Sequence, residues 1–497
     1  MKMLSCRTLV LAGVAAAPLM TRAAQKQPNI LFSIADDWGA HAGVYGDKVV
    51  KTPTFDRLAK EGILFEHAYI SSPSCAPSRA AILTGQWHWR LGEGANLFGL
   101  IPLDAPLYTD LLETNGYFVG FTRKGWGPWL EGKRKSNRPR NPAGPEFKDF
   151  ATFLAQRPKD KPFCFWFGSH DPHRGYVKDS GAQSGIPLDQ IKVPACFPDA
   201  PEVRGDIADY YFEVQRYDRE TGELIEMLRQ AGELENTIVV MTSDHGMPFP
   251  RCKSNIYDDG AHVPLAICWP GHYAGGYRIT DFVSLTDLAP TFLESAGLPV
   301  PAVMTGRSLK PLLTAGKSGR IDPSRNHVLF GKERHVPSQE EANSGGYPCR
   351  ALRTDDFMLI RNFNPERWPA GTEDYQHAFI KNAWFADCDN SPTKSYMAET
   401  RDKDAEHRRL FDLSFAKRPE YELFDLRNDP DQQRNQAANP EYADILNKLS
   451  KQLTEELKAS NDPRIIGGGE KFDAYPYAGG APTYPKIPKA KGPAAEK

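Results

Sequence analysis

The chain has 497 residues, with 61 Lys and Arg against 63 Asp and Glu, a formal charge of −2. That length predicts two or three domains with ample chain for a large core, and the near-zero balance excludes a general nucleic-acid binder while leaving room for a local basic cluster around a small anion. Charged residues at 25% and hydrophobic ones at 40% are those of a soluble globular protein, and eight cysteines are too few for a disulfide scaffold.

Lys2 and Arg7 precede an apolar run from Leu9 to Met20, and Ala23-Ala24 follow as small residues suited to cleavage. Residues 1–24 therefore read as an export signal, too short to span a bilayer. No later stretch approaches the ~20 apolar residues of a spanning helix, so no membrane span is expected. The sequence contains no Asn-x-Ser/Thr acceptor, which favours a bacterial periplasmic or secreted protein over a eukaryotic secretory one.

Three near-continuous apolar runs each end in acids or histidines: Asn29 to Ala35 before Asp36-Asp37, Pro162 to Phe167 before His170-Asp-Pro-His-Arg174, and Thr237 to Thr242 before Asp244-His245-Gly246. Such runs predict strands buried on both faces of a parallel sheet. Helical patterns lie between them at Thr54 to Gly62, Leu107 to Asn115 and Ile207 to Ala231, giving an α/β class. Ligands in these sheets sit beyond the carboxyl ends of the strands, so the three polar clusters are expected to converge. A further strand is expected at Pro264 to Trp269 and a helix at Leu285 to Ala296, closed by Gly297. Gly, Ser, Lys and Pro near 315–325 mark a linker, giving a catalytic domain over 25–320. The short runs His327 to Phe330, Phe357 to Arg361 and Tyr421 to Leu426 then predict a small antiparallel sheet in a C-terminal α+β subdomain over 321–465. A helix is expected from Pro440 to Ala459, and the Gly, Pro, Lys and Tyr-rich residues 466–497 read as a wrapping or disordered tail.

The most specific stretch is Cys75-Ala-Pro-Ser-Arg79-Ala-Ala-Ile-Leu83-Thr84-Gly85. Pro77 suits the first turn of a helix and Gly85 its end, which puts Cys75 at a helix N-terminus, where free N–H groups and Arg79 favour an anion. A low-pKa thiol of a cysteine hydrolase is the other reading of these residues.

The pattern Cys-x-Pro-Ser-Arg-x-x-x-Leu-Thr-Gly resembles the signature of type I sulfatases at every fixed position. Asp36-Asp37, the stretch Thr52 to Leu58, Gly306-Arg307-Ser308-Leu309 and Tyr421 to Leu426 with Asp429-Pro430 extend the likeness over about residues 28 to 455. The resemblance implies an alkaline-phosphatase-like fold, with a large mixed, mostly parallel sheet sandwiched by helices. It also implies that a formylglycine-generating maturation enzyme oxidises Cys75 to Cα-formylglycine. The hydrated aldehyde is then the nucleophile, and hydrolysis passes through a covalent sulfo-enzyme. By the same resemblance Asp36, Asp37, Asp244 and His245 hold a divalent cation together with an oxygen of the modified Cys75, and several carboxylate oxygens suit Ca²⁺. Arg79, Lys124 and Lys253 would neutralise the sulfate, while His170 and Lys253 would protonate the leaving group.

One departure stands out. The family's usual base, a His two residues after the equivalent of Lys124, is replaced by Trp126, and His88 is a candidate substitute. The stretches His170 to Arg174, Thr242 to Pro250 with Lys253 to Tyr257, and Tyr347 to Arg350 are similar to the N-sulfoglucosamine sulfohydrolase branch. The expected substrate is thus a sulfated oligosaccharide carrying O- or N-sulfate, attacked from its end. Sugar contacts are expected from Glu333, His335 and Arg350 or from Trp87, Trp89, Trp126 and Trp129. A phosphodiesterase or phosphonate hydrolase of the same superfamily is the alternative, and a non-catalytic glycan-binding protein is disfavoured by the intact nucleophile and metal positions.

Overall fold

The computed structural model describes residues 26–127 and 138–485. The expected export signal, Trp129 and the tail beyond residue 485 lie outside the described residues.

The three apolar runs form β1 (Asn29–Ala35), β4 (Phe163–Gly168) and β5 (Thr237–Ser243), with every residue buried. Their neighbours are β2 (Ile63–Tyr69), β3 (Phe118–Arg123), β6 (Leu265–Cys268) and β7 (Tyr277–Ser284). The sheet order is β3-β4-β1-β5-β6-β2-β7. All adjacent pairs are parallel except those made by β6, which runs against both β5 and β2. This is a large, mostly parallel mixed sheet.

Helices cover both faces because side chains of a strand alternate between them. Ile30, Phe32 and Ile34 of β1 pack with Ile82 and Leu83 of α2 (Cys75–Thr84), Tyr108 and Leu112 of α3 (Tyr108–Thr114) and Leu288 and Phe292 of α5 (Leu288–Ser295). On the other face Leu31 packs with Phe55 and Leu58 of α1 (Pro53–Glu61) and with Val214, Tyr217 and Leu228 of α4 (Pro201–Gln230). The long helix α4 starts before the expected Ile207, because Pro201 sits in its first turn, where the missing N–H has no intrahelical partner to lose.

A second sheet of β8 (His327–Lys332), β9 (Cys349–Thr354), β10 (Phe357–Asn362) and β11 (Tyr421–Asp425) has the order β11-β10-β9-β8 and is antiparallel throughout. One of its faces, with Val328, Phe330, Met358 and Ile360, joins the main core. The other, with Leu329, Leu352, Leu359 and Leu423, is covered by α6 (Ala443–Ala459) through the stripe Leu449, Leu453 and Leu457 at four-residue spacing. After α6 the chain returns toward the large sheet. Its segment 475–484 lies against the loop 382–390: Trp384 N–H donates to the Pro482 carbonyl (3.0 Å) and Asn390 Nδ2 to that of Thr483 (2.8 Å).

Candidate active site

Register builds the site. Residue Asn29 of β1 faces Thr237 of β5, and the pairing runs without a break to Ala35 opposite Ser243, so the two strands end side by side. The residues that follow, Asp36-Asp37 and Asp244-His245, are thereby set against one another, all four buried. β4 ends beside them at Gly168, which pairs with both Ile34 and Arg123, the last residue of β3. Four parallel strands thus deliver Asp36, Lys124, His170 and Asp244 to one edge of the sheet. Asp37 takes φ 78°, a left-handed conformation uncommon for any residue with a side chain, and its N–H donates to Asp244 Oδ1 at 3.1 Å.

α2 begins at Cys75 as its sequence predicts and ends at Gly85 with φ 61°, the left-handed cap that glycine adopts without strain. Arg79, one turn in, is fully buried. Its Nε donates to Asp244 Oδ2 (2.8 Å), one terminal nitrogen donates to the carbonyls of Lys124 (3.1 Å) and Gly125 (2.9 Å), and the other approaches Asp36 Oδ1 (3.8 Å). Lys124 Nζ donates to Asp36 Oδ2. Lys253 Nζ bridges Asp37 Oδ2 and Asp389 Oδ2, each at 2.9 Å. These charges tune one another. Burial pushes the Asp36 carboxyl up, but Lys124, His173, Arg79 and Lys253 outweigh it and hold it well below the usual carboxylate range. Burial pulls the Lys253 ammonium down, yet Asp37 and Asp389 keep it firmly protonated.

The donor set fits a metal ion. Ligand atoms of Asp36, Asp37, Asp244 and His245 all lie within 4.8 Å of one another. Asp36 Oδ1 is buried without a hydrogen-bond partner, and His245 Nε2 faces Asp37 Oδ1 at 3.1 Å and Asp244 Oδ1 at 3.7 Å, a buried convergence of ligand atoms that a cation would satisfy. His245 Nδ1 lies 3.0 Å from the Gly246 carbonyl, which can only accept, so Nδ1 carries the proton and Nε2 is left to coordinate.

Above these residues opens a cavity of about 730 Å³ lined by Asp36, Cys75, Lys124, Lys253 and, at its mouth, the exposed His170. His173, Asp389 and the buried His335 also line it, and a ring nitrogen of His173 lies within 4.8 Å of carboxylate oxygens of Asp37 and Asp389. His335 Nδ1 meets Ser74 Oγ at 2.8 Å, next to Cys75. Sequence reasoning did not single out Asp389, because it comes from an irregular loop with no motif around it. His173 stands in the sequence as one residue of the stretch His170 to Arg174, with nothing to set it above His170.

The remaining expectations fall elsewhere. Trp126 packs into the main core while Gly125 and Gly127 on either side of it line the cavity. His88 is fully buried, with Nδ1 3.0 Å from Ser71 Oγ and its ring against Trp89, and it does not line the cavity. Glu333 and Arg350, expected as sugar contacts, do not line the cavity: they form a buried network in which Arg350 bridges Glu333 (2.6 Å) and Asp462 (2.6 Å), and Arg464 adds to Glu333 (2.8 Å). Trp89 is buried beneath α6, and Trp87 stacks on it with ring centroids 5.0 Å apart.

The mostly parallel seven-stranded sheet, with an acid-floored, cation-ringed cavity at its carboxyl edge, is that of the alkaline-phosphatase-like fold. A family profile described as "Sulfatase" matches residues 28–298, and one described as "N-sulphoglucosamine sulphohydrolase, C-terminal" matches residues 249–370. The chain belongs to the sulfatase family, the hydrolases of sulfuric esters. It is 29% identical to N-sulphoglucosamine sulphohydrolase of Homo sapiens, over 88% of this chain and 91% of that protein. It is also 29% identical to an ulvan-active sulfatase of Formosa agariphila, over 88% of this chain and 82% of that protein. Among solved structures, one in complex with its substrate D-glucosamine-2-N,6-O-disulfate superposes with a TM-score of 0.60 at 22% identity, covering 88% of this chain and 99% of that one. A phosphonate monoester hydrolase from Silicibacter pomeroyi superposes at 0.64 with 18% identity, covering 88% and 97%, a likeness of fold.

Proposed function

We propose that this protein removes sulfate from the end of a sulfated glycan, as an exported bacterial enzyme matured at Cys75. The observation that carries the reading is that Cys75, Asp36, Lys124 and Lys253 line one cavity, with Asp37, Asp244, His245 and Arg79 bound to them directly beneath it. Asp36, Asp37, Asp244 and Asp389 place four carboxylates against Arg79, Lys124 and Lys253. With a divalent cation held by Asp36, Asp37, Asp244 and His245, these groups would carry one net positive charge, which suits an anion. Oxygen ligands dominate the cluster, which favours Ca²⁺. When bound, the cation withdraws charge from the sulfate oxygens.

The residues of the chain then divide the work. Lys124 reaches the sulfate from the β3 end, and Arg79 locks Asp244 in place while fixing the carbonyls of Lys124 and Gly125. Lys253, held between two carboxylates, lines the same cavity and adds a second ammonium for the sulfate. Proton delivery to the leaving group falls to His173 with Lys253, since His173 sits among Asp37 and Asp389, while His170 supplies a second imidazole nearer the mouth. Trp126, in the place of the family's usual base, has no basic atom, and His88 is buried outside the cavity, which argues against it as the substitute. Formylglycine at Cys75 supplies a hydroxyl nucleophile that a thiol does not. The C-terminal profile match and the human relative favour a glucosamine sulfate, N-linked sulfate included.

The deciding experiment combines two measurements on protein produced in a bacterium that carries a formylglycine-generating enzyme. The Cys75 peptide is expected about 18 Da lighter than cysteine, the difference between CH₂SH and CHO. Sulfate release is expected from D-glucosamine-2-N,6-O-disulfate and to disappear in Cys75→Ala. Faster hydrolysis of a phosphonate monoester than of any sulfated sugar would overturn the reading.

A further inference from the structure

The floor of the cavity is charged, but one wall is not. Leu97, Phe98, Val336, Tyr477 and Pro482 line it together with Cys75. Cys75, Leu97 and Val336 belong to a single apolar cluster against which Phe98 and Tyr477 pack, so this wall is continuous with the nucleophile position. A sulfate group has no use for such a surface. The apolar carbon–hydrogen face of a pyranose ring does, and pockets for small ligands characteristically pair an apolar wall with a few placed polar groups.

Much of the wall comes from the end of the chain. The buried Arg334 donates to the carbonyls of Tyr475 (2.7 Å) and Pro476 (3.1 Å), fixing the entry of the segment. Tyr477 Oη donates to the Gly480 carbonyl (2.8 Å), across the bend at Gly479. A Cβ at Gly479 would stand 2.1 Å from the Phe98 ring, so only glycine lets the two segments approach. Phe98 itself is held at φ 61°, a conformation costly for a bulky residue, and its ring meets that of Tyr477 edge-on at 5.2 Å. Downstream, Tyr484 stacks on Tyr375 at 4.3 Å, and the bond from Asn390 to Thr483 ties the segment to the residue that follows Asp389. Two independent constraints, the positive φ of Phe98 and the glycine beneath it, hold one aromatic pair at the cavity wall.

We propose that residues 475–484 form the sugar-facing wall of the active site, and that Tyr477 with Phe98 is the surface against which the terminal pyranose ring of the substrate lies. Resting on the sulfatase reading above, this assigns recognition of the sugar body to the last described segment and recognition of the sulfate to the sheet edge.

Binding rather than turnover tests it, so that its failure is separable from failure of the catalytic reading. Affinities for D-glucosamine-2-N,6-O-disulfate and for inorganic sulfate are measured by calorimetry on the full chain carrying Cys75→Ala, with and without changes at Tyr477. Tyr477→Ala is expected to weaken the disulfated sugar about tenfold and to leave inorganic sulfate within twofold. Tyr477→Phe, which keeps the ring and loses the hydroxyl, is expected to bind the sugar like the parent. Equal losses for sugar and sulfate, or a Tyr477→Phe as weak as Tyr477→Ala, would show that the segment only supports the pocket, and an unchanged sugar affinity in Tyr477→Ala would overturn the proposal outright. If the Cys75→Ala chain binds the sugar through this wall but the matured protein with Cys75 intact releases no sulfate from it, the catalytic reading fails and this one stands.

Discussion

The carboxyl of Glu213 lines the cavity beside Asp171 and Arg216, and burial pushes it up to about 7 against the pull of Arg216. An unfolded glutamate titrates near 4.3, so between about pH 4.3 and 7 folding takes up a proton, and stability falls as pH rises through that window. Glu213→Gln removes this penalty. Urea denaturation is expected to show the variant gaining about 1–3 kcal/mol over the parent at pH 8 and nothing at pH 4. A constant difference across that range would place the effect in packing instead. At this scale the sequence was informative where a residue sits in a motif next to a strand: Asp36, Asp37, Cys75, Arg79, Lys124, Asp244, His245 and Lys253 were all marked, and the structure brings all eight together. Asp389 and Tyr477 were not, because loop residues carry no periodicity and their neighbours at the site are remote in sequence. Arg350 was misread because charged residues are rarely buried. Here Glu333 and Asp462 on the same guanidinium make burial tolerable.

Elements were legible in proportion to how apolar their surroundings made them. β1, β4 and β5 lie at the middle of the sheet and read as unbroken hydrophobic runs. β3 and β7, at its two edges, and β2 beside β7, did not stand out. Glu66 and His67 interrupt β2, Arg278 and Asp281 interrupt β7, and Gly120 leaves β3 without a side chain where Phe147 and Phe153 press in. β9 hid for the same reason, carrying Arg350 and Arg353 on a strand that packs against other charged groups. Helix α1 shows what local sequence cannot supply. Thr52 gives it no side-chain cap, and the first free N–H groups after Pro53, those of Thr54 and Phe55, donate instead to Asp218 of α4 at 2.9 and 2.8 Å. This cap in trans anchors one helix to another. Asp218→Ala is expected to cost about 1–2 kcal/mol by chemical denaturation at pH 8, with Asp218→Asn costing less because an amide oxygen still accepts. An Ala variant as stable as the parent would dismiss the cap.

For the molecule as a whole, the ligand cluster joins the ends of two neighbouring strands, so a bound cation fastens the sheet where its carboxylates repel one another. Chelation is expected to lower the thermal midpoint, and added Ca²⁺ to restore it, with about 2.7 kcal/mol of stabilisation at a hundredfold excess over the dissociation constant. A midpoint indifferent to chelator and Ca²⁺ alike would mean that the cluster holds no such ion. The fold class was readable at this scale because strand–helix alternation and the strand-end clusters agree. The covering of the small sheet by the main core on one face and α6 on the other was not, since it depends on contacts between distant segments. The strand order also sets a schedule. β1 cannot take its place until β5 exists, and roughly 170 residues separate Cys75 from the end of β5. At ~5–20 residues per second, a growing chain leaves the segment around Cys75 without its partners for about 8–35 s. Once the sheet closes, that side chain is 7% exposed. On the function proposed above, a maturation enzyme would have to reach Cys75 within that interval, before folding buries it.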